Sequence, residues 1–271
     1  MVVPTHRRLR LPPPVRPDLV DVHGTPVAVR RRGAGPALLF LHGAGLAGRW
    51  LRFHELLARR ADVVAPDQLG CGDTPMPDWL HGFDDLVTHY DDLRRTLGLH
   101  RPFDLVGYSF GGWVAAEFAV TYPHLVRALV LIAPVGLAPP DGPPVAVDPF
   151  AATDRELIEL TMNDLPAVGA LPRAARRRGL HADQAAYARL SWRRPYSRRL
   201  PRLLRRVTAP ALVVVGGADR YVPVEVPRRY HRLLPDSRLA VVEAAGHALV
   251  VERPDAVADL VGGFLDGIGS G

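Results

Sequence analysis

Short apolar runs alternate with amphipathic segments along most of this chain, and that alternation is the feature that most limits its fold. Runs that are apolar throughout are typical of strands buried on both faces, and apolar residues three and four apart are typical of helices. Strands are predicted at 27–31 (an edge strand), 37–41, 62–65, 103–106, 126–133, 211–215 and 238–242, and helices at 50–59, 86–97, 112–121, 224–234 and 254–265. The alternation predicts an α/β fold with a doubly wound, mostly parallel sheet.

The alternation stops between residues 136 and 206. Five prolines lie between positions 139 and 149, and helical patterns follow at 155–165 and 182–192 with no strand pattern between them. We therefore predict an inserted helical cap at 136–206 and a core made of 18–135 and 207–271. Residues 1–17, rich in Pro and Arg, are predicted to form a flexible basic arm.

Ser109 is the candidate nucleophile. It is the centre of a G-x-S-x-G sequence, Gly107 to Gly111, placed between a predicted strand and a predicted helix. In that turn the serine adopts a strained backbone, the glycines permit close packing, and the Oγ is exposed at the carboxyl end of the sheet. A serine that only caps the helix is the alternative. Cys71, the only cysteine, is flanked by two glycines and favours a turn over a nucleophile.

His247 and Asp219 are the candidate base and orienting acid. Each follows a predicted strand, so each should lie at the sheet edge that carries Ser109. The other histidines on helices or near the arm are expected at the surface: His6, His54, His89 and His231.

The loop His42-Gly43-Ala44-Gly45 follows a buried strand and can present a backbone N–H. We predict an oxyanion hole made by the N–H groups of Ala44 and Phe110, the latter at a helix start. His42 is expected to hold this loop by hydrogen bonding, although it is also a possible base.

Together these motifs resemble the α/β-hydrolase superfamily, on segments 41–45, 66–74, 107–111, 216–223 and 246–247. The set is similar to capped esterases, lactonases, cofactor-free haloperoxidase-like enzymes and carbon–carbon bond hydrolases. The resemblance implies a Ser109–Asp219–His247 triad, no cofactor, and a cap that acts as a lid. Haloalkane dehalogenases and epoxide hydrolases carry Asp at the elbow, so Ser109 argues against those activities.

The cap also carries a resemblance. The stretch 192–206 resembles the caps of carbon–carbon hydrolases, which implies substrate binding by Trp192, Arg193 and Arg194. Tyr108 departs from that pattern, since those enzymes usually have Asn there. Residues 173–206 hold twelve Arg and one acidic residue, Asp183.

The predicted function is hydrolysis of a small-molecule ester, thioester or lactone through an acyl-enzyme. A carbon–carbon bond hydrolase, a lyase or cyclase, and a non-catalytic ligand-binding relative remain alternatives. No Cys/His spacing predicts a metal site.

Nucleic acid and membrane are not expected as partners. The net charge is +6, but all 34 basic residues are Arg, which indicates a coding bias, and no recognition motif accompanies them. No apolar window of spanning length and no signal-peptide pattern occurs, so a cytoplasmic location is expected. The sequence leaves the oligomeric state open.

Overall fold

In the computed structural model, which describes residues 12–139, 141–148, 150–163 and 183–268, the strands form one eight-stranded sheet. Its strands are β1 (Asp18–Val22), β2 (Thr25–Arg32), β3 (Ala37–Leu41), β4 (Asp62–Pro66), β5 (Phe103–Tyr108), β6 (Val126–Ile132), β7 (Ala211–Gly216) and β8 (Ser237–Val242). They lie in the order β1-β2-β4-β3-β5-β6-β7-β8. All neighbours are parallel except β1 with β2 and β2 with β4. The predicted mostly parallel sheet is confirmed.

The predicted edge position of 27–31 is wrong. Strand β2 lies between β1 and β4, and β1 is the edge. A tight turn through His23 and Gly24, both at positive φ, joins β1 to β2 as a hairpin. Strand β1 carries two acidic residues, Asp18 and Asp21, and leaves Leu19 67% exposed, so it lacks the apolar run of a buried strand.

Helices cover both faces of the sheet. They are α1 (Arg52–Leu57), α2 (Phe83–Thr96), α3 (Phe110–Thr121), α4 (Asp154–Thr161), α5 (residues 183–191), α6 (Leu200–Leu203), α7 (Glu225–Leu233), α8 (Leu249–Glu252) and α9 (Pro254–Ile268). Alternate residues of β3 enter two separate apolar clusters, Leu39 and Leu41 with α2 and α3, Leu38 and Phe40 with α1 and α9. This division explains the continuous apolar runs, because both faces of each central strand are buried.

Between β6 and β7 the described part of the chain contains the helices α4, α5 and α6, connected by loops, and none of the eight strands of the sheet. The end of the helix predicted at 155–165, the start of the one at 182–192, and the arginines from Arg173 to Arg178 lie outside the described residues, as do residues 1–11 of the predicted arm. The limits of the cap at 136 and 206 remain a prediction. In the described ranges no helix has the length and apolar character needed to cross a membrane.

Candidate active site

Ser109 occupies the turn between β5 and α3 with φ 54° and ψ −116°. This left-handed geometry is unusual for a residue with a side chain and is held by the packing around it. A β-carbon on Gly107 would collide with the backbone of Gly111, and one on Gly111 with the carbonyl oxygen of Leu41. The two glycines therefore allow the strand and helix to approach closely.

Ser109 is only 8% exposed, whereas the sequence predicted an exposed Oγ. Helix α5 covers this end of the sheet, and the ring of its Tyr187 stacks on Phe110 with centroids 3.9 Å apart. Ser109 therefore lies in an enclosed site beneath α5.

Ser109, His247 and Asp219 lie in one chain of hydrogen bonds. The Oγ of Ser109 is 2.9 Å from Nε2 of His247, and Nδ1 of His247 is 2.9 Å from Oδ2 of Asp219. The other carboxylate oxygen of Asp219 accepts the backbone N–H groups of Tyr221 and Val222, both at 2.9 Å. These two bonds fix the carboxylate, so the arrangement can orient the imidazole and pass the serine proton to it.

Two tyrosines flank the imidazole. The ring centroids of Tyr108 and Tyr221 lie 5.6 Å and 5.0 Å from that of His247. Burial raises the pKa of both phenols, with the Asp219 carboxylate adding to the effect. Both phenols therefore remain neutral near pH 7.

Glu252 is a supporting residue that the sequence analysis missed. Its buried carboxylate on α8 accepts the backbone N–H of Gly246 at 2.6 Å, directly before His247, and that of Asn163 at 2.6 Å. The contact ties the histidine loop to the end of α4. A single carboxylate after the apolar run Ala248 to Val251 was the available signal.

The loop after β3 lies directly against Ser109. Within the described residues, the backbone N–H groups of Ala44 and Phe110 donate to no acceptor, as an oxyanion hole requires. The N–H of Gln68 donates to Nε2 of His42 at 3.0 Å, which leaves the ring proton on Nδ1, 2.9 Å from the carbonyl oxygen of Gly43. Both ring nitrogens thus hold the loop, which fits the role expected of His42 better than that of a base.

The predicted cap residues lie at the surface. Trp192 is 69% exposed, and Arg193 and Arg194 are also exposed. None of the hydrogen bonds, ion pairs or ring contacts in the described ranges joins them to the Ser109 site. Another residue of the predicted cap, Arg199, contacts the core instead, with its Nη2 2.5 Å from a carboxylate oxygen of Asp84 and 3.2 Å from one of the buried Glu117.

The expected surface position of His54 and His89 is wrong, because both are buried. His54 lies on the face of α1 that contacts the sheet, and its Nδ1 accepts the backbone N–H of Leu51 at 3.0 Å. His6 is outside the described residues. The described part of the chain contains no group of three or more His, Cys, Asp or Glu side chains placed to hold a metal ion.

Comparison with known proteins agrees with this architecture. The model of the alpha/beta hydrolase family matches residues 38–260. The 2-hydroxy-6-oxo-2,4-heptadienoate hydrolase of Pseudomonas putida is 31% identical over 258 residues, which cover 86% of this chain and 90% of that protein.

Two solved structures have folds similar to that of this chain. A membrane phospholipase A, described as a bacterial virulence factor, is 27% identical with a TM-score of 0.81, and the match covers 95% of this chain and 87% of that one. A serine hydrolase involved in carbazole degradation is 26% identical with a TM-score of 0.74, over 93% and 99% of the two chains.

The fold and the family match define an enzyme of the serine hydrolase type. The chain belongs to the alpha/beta hydrolase family.

Proposed function

We propose that this enzyme cleaves a small-molecule ester, thioester or lactone through an acyl-enzyme formed on Ser109. The observation that carries the proposal is the continuous hydrogen-bonded chain from Ser109 through His247 to Asp219, with both distances 2.9 Å. A ligand-binding relative would have no need of that chain, and its presence favours catalysis.

In the first half of the reaction, the Oγ of Ser109 attacks the substrate carbonyl carbon while Nε2 of His247 takes the serine proton. Asp219 stabilises the resulting imidazolium and holds its Nδ1–H. The carbonyl oxygen becomes an oxyanion that accepts the N–H groups of Ala44 and Phe110, and the N-terminus of α3 adds its positive dipole.

Collapse of this intermediate breaks the bond to the leaving oxygen or sulfur, which takes the proton from His247. A water molecule then attacks the acyl-enzyme, with His247 again accepting a proton. The second tetrahedral intermediate expels the Ser109 oxygen, which regains the proton, and the carboxylic acid is released.

Carbon–carbon bond hydrolysis is the second candidate function. The similarity to the Pseudomonas putida heptadienoate hydrolase and to the carbazole-degradation hydrolase supports it. Tyr108 is the residue that departs from the usual pattern, and its ring packs beside the His247 imidazole.

Turnover of a substrate panel distinguishes the two candidates. The panel holds acyl esters of graded length, a thioester, a lactone and a 2-hydroxy-6-oxo-2,4-dienoate, each given to the wild type and to Ser109→Ala. The proposal expects turnover of at least one of the first three classes, lost in Ser109→Ala. Turnover of the dienoate alone would establish the second candidate, and turnover that survives in Ser109→Ala would contradict both.

A further inference from the structure

Asp183 connects helix α5 of the predicted cap to the loop at residues 42–46. This loop carries the proposed oxyanion donor Ala44 and is called the oxyanion loop below. Oδ2 of Asp183, at the described start of α5, accepts the backbone N–H of Gly45 at 2.7 Å, across 138 residues of sequence. Asp183 is fully buried, and among the described residues no arginine pairs with it, although it is the only acidic residue within an Arg-rich stretch. A buried carboxylate needs hydrogen bonds to offset its desolvation, and a loop amide supplies one.

One turn along the same helix face, Tyr187 makes a second contact with the site. Its ring stacks on Phe110 with an interplanar angle of 13°. Its hydroxyl accepts a hydrogen bond from Nε2 of Gln68 at 3.0 Å and lies 3.3 Å from Nδ1 of His42. Helix α5 thus contacts His42 and Gly45, which come before and after the proposed oxyanion donor Ala44 in the loop. It also contacts Phe110, which carries the other proposed donor.

These contacts determine where the Ala44 N–H points. The carbonyl of Gly43 shares a planar, trans peptide with that N–H, and it accepts bonds from the Leu46 N–H at 3.3 Å and from the His42 ring. The next peptide plane contains the Gly45 N–H, which Asp183 holds. Since hydrogen bonds hold both peptide planes, the backbone of Ala44 has little freedom to rotate.

We infer that Asp183 and Tyr187 are positioning residues of the oxyanion hole, through which the docked cap helix sets the direction of the Ala44 N–H and supports Phe110. The inference rests on the proposed serine hydrolase function. Neither side chain contacts the reacting atoms in this scheme, so their effect is greatest where charge develops on the carbonyl oxygen, in the transition state.

The test compares Asp183→Ala, Asp183→Asn and the control Arg189→Ala. Arg189 lies on the same helix but donates to the carbonyls of Leu80 and Asp78, away from the oxyanion loop. For each variant we would measure kcat and KM with an ester that the wild type turns over, and the affinity for a trifluoromethyl ketone, which forms a tetrahedral oxyanion adduct on the serine.

Asp183→Ala should lower kcat and the affinity for the ketone together, each by about tenfold or more, with KM changed by less than about threefold. Asp183→Asn, whose amide oxygen can still accept the Gly45 N–H, should remain within about threefold of the wild type, as should Arg189→Ala. Should Asp183→Ala not fold, Tyr187→Leu, which keeps apolar bulk on the helix, should show the same joint loss.

Wild-type affinity for the ketone in Asp183→Ala, or in the substitute Tyr187→Leu, would overturn the inference, as would an equal loss in Arg189→Ala. Both results leave the proposed function intact. A wild type that forms no ketone adduct on Ser109 would instead overturn the proposed function, so the two failures are distinguishable.

Discussion

A β-carbon on Gly43 would lie 2.8 Å from the β-carbon of Ser109 and 2.9 Å from the ring of Tyr108. The loop that carries Ala44 is therefore in direct contact with Ser109, and only glycine leaves room for this approach. The proposed oxyanion hole therefore depends on the absence of a side chain at Gly43 as well as on the two N–H donors.

Gly43→Ala should lower kcat/KM by about 10²-fold, because the added methyl displaces the oxyanion loop, and should cost about 1–3 kcal/mol of unfolding free energy. The matched control is Gly263→Ala on α9, where a β-carbon would meet nothing within 4 Å. That change should stabilise the protein by about 0.5–1 kcal/mol and leave kcat unchanged. Wild-type kinetics in Gly43→Ala would contradict the assigned position of the loop.

Asp219→Asn should fold normally and lose about 10⁴-fold in kcat. The asparagine oxygen would keep the bonds from Tyr221 and Val222, so its NH₂ group would face Nδ1 of His247 and force the ring proton onto Nε2, next to Ser109. His247→Ala should lose activity by several orders of magnitude for want of a base. Steady-state kinetics measure the activity of both variants, and circular dichroism measures whether they fold. The control is Asp62→Asn, which removes a carboxylate that pairs with Arg31 near the surface. Near-normal turnover in Asp219→Asn would place the orienting acid elsewhere.

The buried histidines predict acid-sensitive stability. Burial lowers the pKa of His54 to about 3 and that of His89 to about 4, against about 6.5 in an unfolded chain. Between these values the unfolded chain binds protons that the folded protein excludes. The contribution of these two neutral histidines to the free energy of unfolding is therefore fully present above about pH 6.5. It is lost as the pH falls toward the pKa values of the folded protein.

His54→Asn tests this linkage, because the asparagine Oδ1 can replace Nδ1 as acceptor for the Leu51 N–H. The free energy of unfolding in urea, followed from about pH 5.5 to pH 4.5, should fall less steeply in the variant, by about 1.4 kcal/mol per pH unit. Equal slopes for the wild type and the variant would show that His54 becomes protonated within the folded protein.

Arg193 and Arg194 provide a test of the cap as a charged surface. Because both side chains are exposed, they should attract anionic substrates at long range rather than form a tight pair with a carboxylate. Replacing both with alanine should lower kcat/KM for a carboxylate-bearing ester by less than about threefold at about 0.15 M salt, and the difference should vanish at high salt. A loss of tenfold or more that resists salt would instead establish direct substrate pairing.

The sequence predicted the parts of this architecture that follow local rules. Apolar runs marked the central strands because these strands are buried on both faces, and the glycines around Ser109 marked a sharp turn between strand and helix. Strand β1 was missed because Asp18 and Asp21 interrupt its apolar residues at an exposed edge. His54 was misplaced because a polar residue on a short helix gives no local sign of facing inward.

Contacts between segments that are distant in the sequence could not be predicted from local patterns. The bond between Asp183 and the Gly45 N–H joins residues that no local pattern connects. The contact of Glu252 with the backbone before His247 likewise depends on how α8 follows the histidine loop. The catalytic roles of Ser109, Asp219 and His247, and the oxyanion roles of Ala44 and Phe110, remain predictions that chemistry can test.

Peptide mapping after reaction with a fluorophosphonate tests the central claim most directly. The chain offers a matched control in Ser237, whose Oγ also lies 2.9 Å from a histidine nitrogen, Nδ1 of His231, at the opposite end of the sheet. The wild type and Ser237→Ala should be labelled on Ser109 alone and at the same rate, and Ser109→Ala should not be labelled. Labelling of another serine in the wild type, or undiminished labelling of Ser109→Ala, would contradict the assignment of Ser109 as the nucleophile.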